Sequence, residues 1–393
     1  MSLIDREHEL FLPTYKRLPI VVDRAEGMYV YAADGTRYLD FLGGIAVNSV
    51  GHSHPRVIEA IETQLRRYMH VSNYFYQDAQ IAFAEKLSAM TGYHKVFLTN
   101  SGTEATEGAM KLARAFGSAE GRQRILGFTG GFHGRTYGAL SIMDKPRYKD
   151  GMGPFLPETG VLPFNDVQAL RDAMSHDVCA IVVEFLQGEG GVRWATQEFA
   201  DAIAELREEF GFLLIGDEIQ AGAGRTGDFF GFERFGVVPD IVTMAKAVGG
   251  GLPLGAILVA ERLSHVWGSG QHGTTFGGNA VACAAGSAVL DLLSEGLMDH
   301  ARMMGAVLLS ELLGLQAEFP ELVTEVRGAG AMAGMELSIP AGPLVDALLD
   351  RGIIANATSD TVIRLVPPLT FQQEHIAEVI GALRAVLAAV AGH

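Results

Sequence analysis

Short apolar runs at 95–99, 124–128, 179–185, 212–215, 241–245 and 256–259 punctuate the middle of the chain. Most are continuous rather than alternating, so a strand formed by each would bury both of its faces. Helical patterns at 103–116 and 196–210 stand between them. Strands that need cover on both sides, separated by helices that can supply it, predict an α/β fold on a mostly parallel sheet. After about residue 290 the pattern changes: two helical stretches flank strand candidates at 331–337 and 362–366, and 372–390 reads as a closing helix. The expected organisation is a large domain over 51–290 and a smaller α+β domain over 291–393, with the segment 1–50 contributing to the small one. At 393 residues the chain is long enough for two such cores.

The chain is acidic, with 30 Lys and Arg against 46 Asp and Glu and a net charge of −16. That balance disfavours nucleic acid and anionic membranes as partners. Any anionic ligand would need cations placed for it one by one. Cys179 and Cys283 lie far apart and suit neither a disulfide framework nor a metal-ligand spacing, which fits a reducing compartment. The first nine residues are charged and lack an apolar signal core. No run approaches the ~18 apolar residues of a membrane span, and the expectation is a soluble, cytoplasmic protein.

Lysine usage carries the first chemical signal. Of seven lysines only Lys246 lies after Lys149, and the other cations of that long stretch are all arginine. Lys246 follows the apolar run 241–245 and precedes Val248-Gly-Gly-Gly251, where a buried strand would end in a flexible loop. Guanidinium stays charged, so arginine cannot replace lysine where a deprotonatable amine is needed. A lysine with a lowered pKa can form a Schiff base with an aldehyde; a strand-end lysine can equally just reach solvent.

Asp217 and Glu218 end the apolar run in Phe212-Leu-Leu-Ile-Gly-Asp-Glu-Ile-Gln220. The carboxyl ends of parallel strands line the ligand crevice, and a carboxylate buried there needs a cationic partner. A protonated pyridine nitrogen would be such a partner; a metal-binding or helix-capping acid pair is the alternative. In Leu98-Thr-Asn-Ser-Gly-Thr-Glu-Ala105 a strand turns into a helix through small, hydroxyl-bearing residues. Free N–H groups there can hold a phosphate, with Gly102 allowing close approach and Ser101 and Thr103 donating hydroxyls. Ordinary N-capping gives the same pattern. The chain has no Walker loop, no H-E-x-x-H and no nucleophile elbow. His52 and His54, in His-Ser-His-Pro, read as a polar turn rather than metal ligands.

Ser101-Gly102-Thr103, Gly131-Phe-His-Gly-Arg135, Glu184…Gln187-Gly-Glu189, Asp217-Glu-Ile-Gln220, Lys246 and Thr274-Thr275-Phe-Gly-Gly-Asn279, in that order and spacing, resemble the class III pyridoxal-phosphate-dependent aminotransferases. The resemblance spans nearly the whole chain. Thr14-Tyr-Lys-Arg-Leu-Pro19, Asp40-Phe-Leu-Gly-Gly-Ile-Ala46, Gly51-His-Ser-His-Pro55 and Ile363-Arg-Leu-Val-Pro-Pro368 look, within that family, like the members that act on N-acetylornithine in arginine biosynthesis.

The resemblance implies a fold type I pyridoxal-phosphate transferase: a large domain with a mostly parallel sheet plus a smaller α+β domain. It implies pyridoxal 5'-phosphate as cofactor, with Lys246 its anchor and proton shuttle and Asp217 on the pyridine nitrogen. Gln220 would lie near the phenolic oxygen and Phe132 on the ring. Ser101, Gly102 and Thr103 would hold the phosphate, with Thr275 supplied across a homodimer. Arg135 and Arg364 would bind substrate carboxylates, Glu189 neutralising Arg364 when only one carboxylate needs it. The reaction implied moves an ω-amino group to 2-oxoglutarate, giving glutamate and a semialdehyde. Other ω-amino donors (ornithine, succinylornithine, an acyl-lysine, 4-aminobutyrate), an aminomutase or racemase on the same scaffold and a non-catalytic binding protein are the alternatives. Two departures from the family pattern, Phe185 where proline is usual and the small stretch Ala221-Gly-Ala-Gly224, are expected to touch the pocket lining.

Overall fold

A computed structural model describes residues 1–392. Its central sheet has seven strands in the order Lys95–Thr99, Gly255–Val259, Ile241–Met244, Leu213–Asp217, Val178–Val183, Arg124–Phe128 and Thr159–Leu162. Adjacent strands are parallel except around Gly255–Val259, which runs antiparallel to both its neighbours. Val178–Val183, Leu213–Asp217, Ile241–Met244 and Gly255–Val259 are buried at every position, as continuous apolar runs require. The α/β class is therefore as the patterning predicted. The edge strand Thr159–Leu162 is half-buried throughout and escaped the reading, because Thr-Gly-Val-Leu makes no apolar run.

One face of the sheet is covered by the helix Gly102–Gly117, whose Ala105, Ala109, Leu112 and Ala113 pack with Ile125, Ala180, Ile215 and Ile257. The approach is close: a Cβ on Gly108 would stand 2.4 Å from Ile257 Cδ1, so any larger residue would have to push that side chain aside. The helix Gln197–Phe210 covers the other face with Phe199, Ile203 and Leu206, beside Phe128, Val183 and Leu214.

A four-stranded antiparallel sheet follows later in the chain, in the order Val323–Ala329, Met332–Leu337, Val362–Leu365, Asn356–Thr358. A third sheet joins the N-terminal strands Val22–Glu26, Tyr29–Ala32 and Arg37–Asp40 to Ile353–Ile354, which pairs parallel with Leu39 and Asp40. The first residues and the last hundred are thus tied by backbone hydrogen bonds. His52 belongs to this junction, its Nε2 2.8 Å from the carboxylate of Asp40.

Contrary to the expectation that no run approaches a membrane span, the helical run Ala280–Glu318 is long and apolar enough to cross a membrane by length and composition. Half of its most apolar window is buried within the protein. It packs against the helices Pro55–Leu65 and Asp78–Thr91, and Gly296 interrupts it with φ 117°. Those contacts are what a core helix makes.

Candidate active site

The carboxyl ends of the parallel strands bring five loops to one edge of the sheet, the position where α/β sheets bind ligands. A cavity of about 470 Å³ opens there, lined by Ser101, Gly102, Thr103, Phe132, His133, Arg135 and Lys246 among others.

Thr99 ends its strand and Gly102 begins the helix, with Ser101 extended between them as the cap. The Ser101 hydroxyl accepts from Glu104 N at 3.3 Å, so ordinary capping does occur. It leaves the N–H groups of Gly102 and Thr103 without an acceptor among the described residues, both pointing out of the helix's positive end. Thr103 Oγ1 lies 2.9 Å from Thr136 Oγ1. Gly134, at φ 132°, lets that contact form, since a Cβ would sit 2.2 Å from Thr103 Oγ1. Free N–H groups, hydroxyls and a helix N-terminus on one wall make an anion cup.

Lys246 follows the last strand residues and is held at φ 50°, a left-handed conformation that costs a non-glycine residue of order 1 kcal/mol. Its amine makes no hydrogen bond or ion pair among the described residues. Burial pushes its pKa down to about 8, with Arg364 adding to the effect and Glu189, Asp217 and Glu184 opposing it. An unpaired amine that sheds its proton near neutrality is what carbonyl chemistry needs.

Asp217 is the last residue of its strand and 3% exposed. Its Oδ2 lies 2.6 Å from His133 Nδ1 and its Oδ1 accepts from Ile219 N at 3.1 Å. Burial works against a proton on His133, but the hydrogen bond and the charges of Asp217 and Glu184 overcome it and raise the imidazole's pKa. Glu184, just past the end of Val178–Val183, accepts from Phe132 N at 2.9 Å; burial first, then Asp217, raises its carboxyl. Glu218 points the other way, into the core, where Gly231 N and Phe232 N donate to it at 2.9 and 3.1 Å. Successive strand residues face opposite sides, so the two acids are not a pair.

The two arginines sit in different electrostatic states. Arg364 is 1% exposed and donates to Glu189 Oε1 at 2.5 Å, Gln220 Oε1 at 2.9 Å and Asn356 Oδ1 at 3.2 Å. Burial alone would raise the carboxyl of Glu189, but Arg364 holds it below the usual range. Arg135 is exposed to the cavity; among the described residues its guanidinium has no hydrogen-bond acceptor and rests on the rings of Tyr148 and Phe132.

Of the residues singled out from the sequence, Ser101, Gly102, Thr103, Phe132, Arg135 and Lys246 line the one cavity. Asp217 stands one hydrogen bond behind His133, a lining residue. Arg364, Glu189 and Gln220 form a cluster of their own whose charges are felt at Lys246. Thr275 is exposed and lies outside this chain's cavity. Phe185 does not touch the pocket, contrary to expectation: it is 1% exposed and packs on Phe232 and Phe235. Nor does the stretch 221–224 line it: Ala221 and Ala223 are core, and a Cβ on Gly222 would meet the Glu218 carbonyl oxygen at 2.6 Å. In the sequence His133 and Glu184 stand out only as members of motifs. A histidine between an aromatic residue and a glycine just after a strand was the available signal for His133.

The whole architecture is shared with solved enzymes. An ornithine aminotransferase from Toxoplasma gondii superposes with a TM-score of 0.94 at 31% identity, over 99% of this chain and 95% of that one. A transaminase from the marine bacterium Virgibacillus gives 0.94 at 26% identity, over 99% of each. The fold is that of the pyridoxal-phosphate-dependent aminotransferases. Residues 11–387 match the model of the aminotransferase class-III family, and the chain belongs to that family, whose cofactor is pyridoxal phosphate. Among curated relatives, the acetylornithine aminotransferase of Methanocaldococcus jannaschii is 43% identical over 97% of this chain and 96% of its own length. That of Caldanaerobacter subterraneus is 42% identical over 99% and 100%.

Proposed function

We propose that this aminotransferase moves the ω-amino group of N2-acetylornithine to 2-oxoglutarate, giving glutamate and a semialdehyde as a step of arginine biosynthesis. The observation that carries the reading is the contrast between a free Arg135 and a Glu189-neutralised Arg364 near Lys246. A donor that reacts at its ω-amine brings a single carboxylate at its far end, so it needs one free cation and one masked cation. The names of the relatives support N-acetylornithine as that donor.

The site's groups fit the cofactor: two unpaired N–H groups for a phosphate, a flat Phe132 ring on the cavity wall and an amine with no other partner. When bound, pyridoxal phosphate supplies an aldehyde to take up the amino group and a ring that makes the neighbouring C–H bond acidic. Lys246 would hold it and afterwards carry the proton to and from the substrate carbon. Asp217, braced by His133, would keep a negative charge toward the ring nitrogen, with Gln220 beside the phenolic oxygen and Phe132 against the ring. Ser101, Gly102 and Thr103 would hold the phosphate together with Thr275 of the partner subunit. The exposure of Thr275, Phe276, Tyr74, Phe75 and Tyr76 supports a homodimer with shared sites. The cytoplasm, and a division into 51–290 and 291–393 with 1–50 joining the latter, complete the reading.

A donor panel tests it: holoenzyme with 2-oxoglutarate, measuring glutamate formed from N-acetylornithine, ornithine, succinylornithine, an acyl-lysine and 4-aminobutyrate. N-acetylornithine should give the highest kcat/KM. Ornithine is the second reading, favoured by the Toxoplasma neighbour, and would replace the first if it won.

A further inference from the structure

Among the described residues no carboxylate or carbonyl accepts from the Arg135 guanidinium; what it touches is aromatic. Its Cζ stands 3.8 Å from the centre of the Tyr148 ring and 5.3 Å from that of Phe132. The two rings meet edge to face at 5.9 Å and 82°. A guanidinium resting on a ring uses its flat face for the contact and keeps the N–H groups in its plane free. Those in-plane groups are the ones that grip a carboxylate through two parallel hydrogen bonds. An exposed arginine without such a support would spread over many rotamers and lose entropy on binding.

Tyr148 is itself held. It ends the short turn Pro146–Tyr148, closed by Lys149 N donating to the Pro146 carbonyl at 2.7 Å. Lys149 Nζ donates to the Met143 carbonyl at 2.8 Å. Asp144 accepts from Gly130 N at 3.1 Å, which ties the turn to the loop that carries Phe132. Lys145 Nζ donates to the Glu189 carbonyl at 3.0 Å, tying it also to the acid that masks Arg364. The turn that carries the ring is therefore tied to both neighbouring loops, and the ring itself packs on the edge of Phe132.

We infer that Tyr148 is a specificity-determining positioning residue: its ring fixes the plane of Arg135 so that the guanidinium presents a ready fork to the distal carboxylate of both substrates. This rests on the carboxylate role proposed above for Arg135. Tyr148 touches no reacting atom and acts through the arginine. It supplies a preference for substrates with a carboxylate far from the reacting nitrogen, and it does so by the ring face, not by the hydroxyl.

The test compares four holoenzymes: wild type, Tyr148→Phe, Tyr148→Leu and Arg135→Leu. Calorimetry gives the affinity for glutarate, an unreactive dicarboxylate. Half-reactions are timed with N-acetylornithine, with 2-oxoglutarate and with n-butylamine, which has no carboxylate. Titration of the cofactor-free proteins gives pyridoxal phosphate affinity. Tyr148→Leu should weaken glutarate and raise the KM of both carboxylate substrates roughly five- to tenfold, with kcat little changed. Tyr148→Phe should stay within about twofold of wild type, since it keeps the ring face. The n-butylamine rate and the cofactor affinity should not move in either Tyr148 variant. The inference is overturned if Tyr148→Leu matches wild type while Arg135→Leu loses glutarate, which would leave the role of Arg135 standing. It is also overturned if Tyr148→Leu slows n-butylamine or loosens the cofactor as much as it weakens glutarate, since the ring would then merely support the pocket. If Arg135→Leu binds glutarate normally, the carboxylate role of Arg135 fails and the inference falls with it.

Discussion

His133 Nδ1 lies 2.6 Å from Asp217 Oδ2, and both residues are buried, at 2% and 3% exposure. Among the described residues the other donor to this carboxylate is a single backbone N–H, so the imidazole largely fixes its direction. Removing one partner of a buried pair leaves the other unsatisfied, at a cost of about 1–3 kcal/mol. His133→Ala should therefore lower the melting temperature of the cofactor-free protein and slow turnover about tenfold or more, because Asp217 loses its brace. His133→Asn, which can still donate, should recover part of both. Unchanged melting and turnover in His133→Ala would mean that Asp217 stands without it.

Among the described residues the Lys246 amine has no partner, and burial lowers its pKa to about 8. The neutral amine is the form that attacks an aldehyde. Uptake of pyridoxal phosphate by the cofactor-free protein should accordingly speed up as pH rises through about 8, well below the ~10.4 of a free lysine. Borohydride should then fix the cofactor to this residue, and Lys246→Ala should lose several orders of magnitude of turnover. Lys246→Arg should not recover it, since guanidinium keeps its proton. Peptide mapping of the label to another lysine would refute the assignment.

How much of this was legible follows from how local each signal is. The lone lysine past residue 149, the acid at the end of an apolar run and the small-residue turn before a helix are all contained within a few consecutive residues. So were the buried strands, whose continuous apolar runs can have few other uses. What escaped depends on distant partners. His133 and Asp217 are 84 residues apart, and nothing near His133 in the sequence announces a carboxylate. The antiparallel course of Gly255–Val259 is invisible because an apolar run reads the same in either direction. The place of Phe185 in a motif points to the pocket, yet Phe232 and Phe235, close in space only, take it into the core.

Glu218 offers a pH test of stability that does not involve the reaction. Burial raises its carboxyl to about 8, whereas in an unfolded chain a glutamate titrates near ~4.3. The folded-state value lies above the unfolded one, so the folded protein holds this proton more tightly. The stabilisation is complete below ~4.3 and is lost as pH rises to about 8, at no more than roughly 1.4 kcal/mol per pH step. Glu218→Gln cannot titrate, although its amide can satisfy only one of the two backbone donors. Wild type should thus lose stability relative to the variant between pH 5 and pH 8 in thermal melts (window set approximately by these two values). Parallel melting curves across that range would show that this carboxyl is already ionised in the fold.

The Arg364–Glu189 pair would, on the function proposed above, set which substrate the site is ready for. The guanidinium is buried and would be costly to leave without a counter-charge; Glu189, 23% exposed at its side chain, supplies one at 2.5 Å. Glutamate or 2-oxoglutarate has a carboxylate beside the reacting carbon; on the proposed roles it would have to displace Glu189 to reach Arg364, with its distal carboxylate going to Arg135. An ω-amine donor has no carboxylate near the reacting carbon, so for that half-reaction the Glu189–Arg364 pair should stay closed. Glu189→Ala should therefore favour dicarboxylates and α-amino acids while impairing the ω-amine half-reaction. Arg364→Ala should damage the 2-oxoglutarate half-reaction most, by about 2–5 kcal/mol of lost contact. It should leave the half-buried Glu189 with no arginine to hold its carboxyl down. Single-turnover absorbance changes on each half-reaction separate these effects. Equal slowing of the two halves by Glu189→Ala would show that the acid is structural support for a buried arginine, and that the pocket distinguishes its substrates by other means.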